Sequence, residues 1–86
     1  MEPINLEEVA IVGRPQTDNV GVVAVDFLEQ GTPLRYQDGT ITMRRRAQRG
    51  QSFAVKPVPK GEAYTTLGDP FGIASQSMQP GDPIDE

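Results

Sequence analysis

The stretch TTLGDPFGIASQSMQPGDPI, residues 65–84, sets the reading of the whole chain. Gly and Pro recur at short intervals, and apolar residues come only in twos and threes between them. No helix of ordinary length fits such punctuation. The same unit occurs four times: FLEQGTPL, AQRGQSFAV, PVPKGEAYT and SMQPGDPI. Each has an apolar or small residue three positions before a glycine, namely Leu28 before Gly31, Ala47 before Gly50, Val58 before Gly61 and Met78 before Gly81. The spacing is too irregular for a solenoid. It predicts one turn type reused: a side chain enters the core, the chain turns through Gly at positive φ, and a short strand leaves. Four such corners predict a compact all-β fold.

Between the corners, GVVAVDFL reads as a buried strand because it is short, β-branched and bounded by turn formers. Asp18-Asn19, just before it, is turn chemistry. LRYQDGTITM reads as a hairpin around a two-residue Asp38-Gly39 turn. That register sets Tyr36 opposite Ile41 and Leu34 opposite Met43. One face then holds Leu34, Tyr36, Ile41 and Met43, and the other holds Arg35, Gln37, Thr40 and Thr42. NLEEVAIV is open to two readings. Asn5 with Glu8 resembles a capping box, yet the β-branched run is equally a strand. The expected core is Val22, Val23, Val25, Tyr36, Ile41, Phe53, Val55, Phe71 and Ile73.

Eighty-six residues make one small domain whose core is marginal. A core this small often belongs to a chain with a partner subunit. With no Cys and no His, the chain lacks disulfides, thiolate nucleophiles, the usual general base and the commonest metal ligand. Ser52, Ser75 and Ser77 have no evident base partner in the sequence, so independent catalysis is not expected. Carboxylates and amides alone favour hard cations such as Ca²⁺ and Mg²⁺, so no cofactor and no tight transition-metal site is expected here. The acidic opening MEPINLEE has no leader pattern, and no apolar run approaches a membrane span, which predicts a cytoplasmic protein without membrane contact. The net charge of −4 is patterned: −5 up to Glu29, +6 from Arg35 to Lys60, and −5 from Gly61 onward. Such a chain is expected to neutralise itself on folding, which argues against nucleic acid as a partner.

TDNVGVV, RGQSFAV, VPKGEAY, LGDPFGIAS and MQPGDPI occur in the order and with the spacing seen in SAF-type domains. The chain resembles the small N-terminal domain, or separate small subunit, of altronate and galactarate dehydratases and the related sulfolactate sulfo-lyases. The matching positions are Asp18-Asn19-Val20, Gly50, Val58 with Gly61, Gly68 with Pro70, Gly72 and Ala74, and Met78 with Gly81. The resemblance covers residues 15–86 and leaves 1–14 as an N-terminal extension. It implies a β-clip fold and a non-catalytic small subunit of a hydro-lyase, assisting a large catalytic subunit that dehydrates sugar acids with a divalent metal, typically iron. The family's His positions fall at Pro15, Gln51 and Asp85, and none is retained. The alternative is a β-clip module that binds a carbohydrate, a carboxylate or a protein, or that associates with itself. A neighbouring gene for a dehydratase-like subunit separates the two.

MRRRAQRG is the one dense charge cluster. Guanidinium forks match carboxylates in two-point geometry. Arg44, Arg45, Arg46 and Arg49, with Gln51 and Asp85, are therefore the candidate binding residues for a sugar-acid carboxylate or an acidic partner surface. Strand alternation predicts Arg44 and Arg46 on one side and Arg45 on the other, unless the strand ends first.

Overall fold

A computed structural model describes residues 2–14, 16–37, 39–66 and 68–84. These residues form ten short strands and one 3-10 turn: β1 (Ile4–Asn5), the turn Leu6–Glu8, β2 (Ala10–Ile11), β3 (Val20–Val23), β4 (Phe27–Leu28), β5 (Pro33–Tyr36), β6 (Gly39–Thr42), β7 (Ala47–Gln48), β8 (Ser52–Ala54), β9 (Ala63–Thr66) and β10 (Asp69–Ile73). The strands pair as β1-β5-β6, β2-β3-β8, β4-β7 and β9-β10. This is the all-β fold of short strands and tight glycine turns that the sequence predicts.

All four glycine corners form as expected. Gly31, Gly50, Gly61 and Gly81 have φ of 88°, 83°, 91° and 95°. In each corner the residue after the glycine donates its N–H to the carbonyl two residues before it: Thr32 to Glu29, Gln51 to Gln48, Glu62 to Pro59 and Asp82 to Gln79. Glycine at the third place of such a turn is the type II pattern, which only a residue tolerant of positive φ completes without strain. The apolar residues ahead of the turns, Leu28, Ala47, Val58 and Met78, are all buried. They meet in pairs, Leu28 against Ala47 and Val58 against Met78.

The pairing exposes an internal two-fold relation. Gly31 N–H donates to Met43 and Met43 N–H to Thr32, and thirty to thirty-one residues later Gly61 N–H donates to Ala74 and Ala74 N–H to Glu62. Gly50 N–H donates to Val23, and Gly81 N–H to Ala54. β3 and β8 run antiparallel through the middle, with Gly21 beside Phe53 and Val22 beside Ser52. Each half has its own core. One holds Leu28, Leu34, Met43, Ala47 and Val23 among others, and the second holds the counterparts Val58, Tyr64, Ala74, Met78 and Ala54.

Three expectations are corrected in detail. The hairpin places Leu34 opposite Ile41 and Tyr36 opposite Gly39, two residues away from the expected register, with Gln37 at φ 53°. The Asp38-Gly39 turn reading rests on Asp38, which lies outside the described residues. Leu34, Tyr36, Ile41 and Met43 nevertheless share the buried face, because a slip of two preserves which side each residue faces. Asn5 makes no side-chain cap, and NLEEVAIV divides into one 3-10 turn followed by a strand. Val23, Tyr36, Ile41, Phe53 and Val55 are buried, whereas Val22 and Val25 are half-buried, and Phe71 and Ile73 are 38% and 64% exposed. Within the segment 1–14, Leu6 is fully buried and β1 pairs in parallel with β5.

Tyr36 carries a buried hydroxyl that finds no hydrogen-bond partner among the described residues. Burial holds its pKa above the usual value of 10.0, and the negative charges of Asp18 and Glu7 add to this. The unfolded chain therefore gives up this proton first as pH rises. The contribution of Tyr36 to stability is intact below about pH 10 and is lost as pH climbs towards the raised value. Tyr36→Phe should remove that alkaline loss and, by removing an unsatisfied hydroxyl, leave stability at pH 7 unchanged or raised by about 1 kcal/mol; urea unfolding at pH 7 and pH 10.5 measures both. Gly81 and Gly50 predict a second contrast. A Cβ at Gly81 would fall against the Thr42 carbonyl, whereas one at Gly50 meets nothing within 4 Å. Gly50→Ala should cost about 1–2 kcal/mol through its backbone angle alone, and Gly81→Ala at least about 3 kcal/mol, because steric overlap adds to the same strain.

Candidate functional site

The arginine-rich segment follows β6, which ends at Thr42, so the run leaves the sheet before Arg44. The expected alternation does not apply. Arg44 and Arg45 both reach the C-terminal segment, Arg44 Nε lying 3.2 Å from Asp82 Oδ1 and Arg45 Nη2 donating to the Pro83 carbonyl at 3.0 Å. Arg46 and Arg49 turn towards β4. Arg46 Nε lies 3.4 Å from Glu29 Oε1, and its guanidinium carbon sits 4.5 Å from the centre of the Phe27 ring. Arg49 Nη2 donates to Asp26 Oδ1 at 2.7 Å. Acids from both flanks thus neutralise the basic centre, as the charge pattern predicts. Pairs this exposed contribute about 0–1 kcal/mol each and leave outward N–H groups in water, so the corner can still meet a carboxylate.

Gln51 is adjacent to this corner but is occupied by the fold. Its Oε1 accepts from Gln48 N–H at 3.2 Å, closing the second glycine turn. Asp82 does the same at the fourth turn, its Oδ2 accepting from Gln79 N–H at 2.9 Å. Asp85 and Pro15 lie outside the described residues. Among the described residues no three carboxylates gather to hold a cation. An amide oxygen already bonded to backbone is a poor ligand for iron, which the family resemblance places in the large catalytic subunit. The Thr17 and Thr32 hydroxyls donate to the backbone carbonyls of Arg14 and Glu29.

Asp18-Asn19 does more than its turn chemistry suggests. The Asp18 carboxylate is fully buried; Oδ2 accepts from Arg14 N–H at 2.9 Å and Oδ1 from Gly68 N–H at 2.8 Å. Asn19 fastens to β9 like an extra strand residue, its Nδ2 donating to the Ala63 carbonyl and its Oδ1 accepting from Thr65 N–H. Sequence reading missed this reach of some fifty residues, because only the local turn is visible in the residue types. Gly68, at φ 81°, leaves space for the Arg14 side chain, whose atoms would lie 2.9–3.2 Å from an added Cβ.

Beside Arg44 a groove of about 460 Å³ opens between the first and fourth glycine turns, lined in part by Gln30, Thr40, Thr42 and Pro80. Thr40 and Thr42 share the outward face of β6. Hydroxyls, an amide and a guanidinium together make a polar surface suited to a small hydroxylated anion.

Two comparisons with known proteins bear on this arrangement. The family model of the altronate/galactarate dehydratase SAF domain matches residues 9–86. The altronate dehydratase of Escherichia coli (strain K12) is 34% identical over 64 residues, which make up 74% of this chain and 13% of that protein. The chain thus spans about an eighth of the length of the curated relative it matches.

Asp18 yields a prediction of its own. Both oxygens accept from N–H groups, so an amide at this position would point a donor at a donor. Asp18→Asn should therefore destabilise the fold by at least about 2 kcal/mol despite its matching shape, since each charge-assisted bond is worth about 1.5–3 kcal/mol. Chemical unfolding of the two proteins at pH 7 measures the difference.

Proposed function

This chain belongs to the SAF-domain family of altronate and galactarate dehydratases, and from that premise we propose that it is a non-catalytic accessory subunit of a sugar-acid hydro-lyase. The observation that carries this reading is the extent of the match: residues 9–86 fit the family's SAF domain, and that domain is a small part of a much longer dehydratase. The chemistry of removing water from a sugar acid then resides in a separate catalytic subunit, together with any divalent metal it uses. This chain supplies surface and position. Arg46 and Arg49, more than half exposed, offer guanidinium N–H groups to an acidic face of that subunit, while Glu29 and Asp26 hold them in place.

A second reading is favoured by the groove at Thr40, Thr42 and Arg44. There the chain itself binds the carboxylate and hydroxyls of a sugar acid and delivers it to the catalytic subunit. Arg44 is the fixed cation, since Asp82 holds its Nε while its side chain stays more than half exposed.

The test is reconstitution. Where a dehydratase-like subunit is encoded beside this chain, it is assayed on altronate and galactarate with and without it. Omission should lower kcat/KM at least tenfold, and equal turnover by the large subunit alone would overturn the accessory role. Arg46→Glu/Arg49→Glu should weaken association, as should raising salt, because exposed charges are screened over ~8 Å at physiological ionic strength. Unchanged binding by the double variant would reduce the cluster to a solvated loop.

A further inference from the structure

The two hairpins, β5–β6 and β9–β10, differ by one residue, and the difference produces an unfilled apolar surface. From Gly31 to Gly61 the offset between halves is thirty residues, and from Gly50 to Gly81 it is thirty-one. The extra residue lies in β10. Asp69 and Pro70 pair with Thr66 and Thr65, Gly72 and Ile73 pair with Tyr64 and Ala63, and the register shifts between Pro70 and Gly72. Phe71 is therefore a bulge without a counterpart in the β5–β6 hairpin, whose pairing is regular. Bulges re-aim side chains, and this one presents an aromatic ring to solvent. The ring does not hang free. It stacks on buried Tyr64 with centroids 5.7 Å apart and an angle of 23° between planes.

The same end of β10 lacks a contact that its counterpart has. In the first half the fourth glycine corner packs onto the hairpin: Arg44 N–H donates to the Gly81 carbonyl at 3.0 Å, and Gly81 abuts the Thr42 carbonyl. Thirty-one residues on, Thr42 and Arg44 become Ile73 and Ser75, and the internal two-fold would bring Gly50 against them. It does not. Among the described residues, chain neighbours aside, nothing lies within 4 Å of where a Gly50 Cβ would be, and Ile73 is 64% exposed on a strand that pairs there only with β9. The other exposed apolar residues do not form such a surface. Phe27 lies under Arg46, and Ile11 lies on a different sheet.

We propose that the Phe71–Ser75 edge of β10 is a further docking surface for the catalytic subunit, apart from the Arg46–Arg49 corner, with Phe71 as the anchor on the Tyr64 side and Ile73 on the opposite face of the same edge. This rests on the accessory-subunit reading above. The occupant is argued from length: in the Escherichia coli altronate dehydratase 87% of the protein lies outside the matched segment. An aromatic side chain held in place before binding loses little entropy on association, which is the character of an interface anchor. The partner segment is a turn or edge with an apolar side chain to cover Phe71 and a carbonyl to accept from Ser75 N–H, replacing what Gly81 gives Arg44.

The experiment measures affinity for the dehydratase-like subunit and amide exchange across β10. The wild-type chain should bind, and exchange at Ile73 and Ser75 should slow at least tenfold in the complex. Phe71→Ser/Ile73→Ser should weaken Kd at least thirtyfold. Ile73→Lys, which does not disturb the stack on Tyr64, should weaken it at least tenfold while the melting temperature stays within a few degrees. If the wild type binds and Ile73→Lys binds equally well, with β10 still exchanging freely, the docking surface is wrong and the accessory role stands. If the wild type forms no complex at all, both fall. If the edge instead becomes protected in a homodimer that Ile73→Lys dissociates, the choice of occupant is overturned.

Discussion

The buried Asp18 carboxylate is the point on which the two halves of the chain depend. Its two oxygens tie the loop at Arg14 to Gly68, and the neighbouring Asn19 side chain continues the connection into β9 at Ala63 and Thr65. A charge in a dry site is tolerated only when hydrogen bonds replace its water, and here backbone N–H groups from two distant segments do so. That requirement is directional, so it fixes where the β9–β10 hairpin stands relative to the central β3–β8 pair. No apolar contact in a core this small could set that position as narrowly, because hydrophobic burial rewards area rather than orientation.

Glycine corners were legible in the sequence because the constraint they answer is local: a positive φ needs glycine wherever the rest of the fold lies. The hairpin faces were legible for a similar reason, since alternation of Leu34, Tyr36, Ile41 and Met43 survives any even slip. The register itself was not, because Gln37 takes the left-handed angle that the residue pattern assigned to the Asp-Gly pair. Phe71 and Ile73 were misplaced for a different reason. Alternation assumes a regular ladder, and the bulge at Phe71 breaks it, leaving Phe71 against Tyr64 and Ile73 on the other face beside Ala63. The second core is already filled by Val58, Tyr64, Ala74, Met78 and Ile84. At the candidate site, the density of arginines was visible, whereas their partners Asp26, Glu29 and Asp82 were not, because pairing depends on how distant turns meet.

The charge map then acquires a physical sense. An acidic–basic–acidic chain could have folded into a molecule with one strongly positive face. Instead Arg49 and Arg46 meet acids from the first flank and Arg44 meets one from the last. The resulting surface is of mixed sign, which favours orientation of a charged partner over indiscriminate attraction to polyanions. This agrees with a domain whose relatives are metabolic dehydratases.

An internally repeated fold satisfies itself twice with the same turns, the same cross-strand bonds and the same buried positions. Whatever both halves share is accounted for by folding. What only one half possesses needs another cause. Phe71 is one extra residue in an otherwise matched pair of hairpins, and it lies at the edge where the second half lacks the corner that covers the first. A bulge there interrupts the ladder and exposes an aromatic ring, both costs to an isolated domain. Stacking on Tyr64 recovers part of that cost but leaves Ile73 in water, so the arrangement is completed only by a surface that this half of the fold does not itself provide.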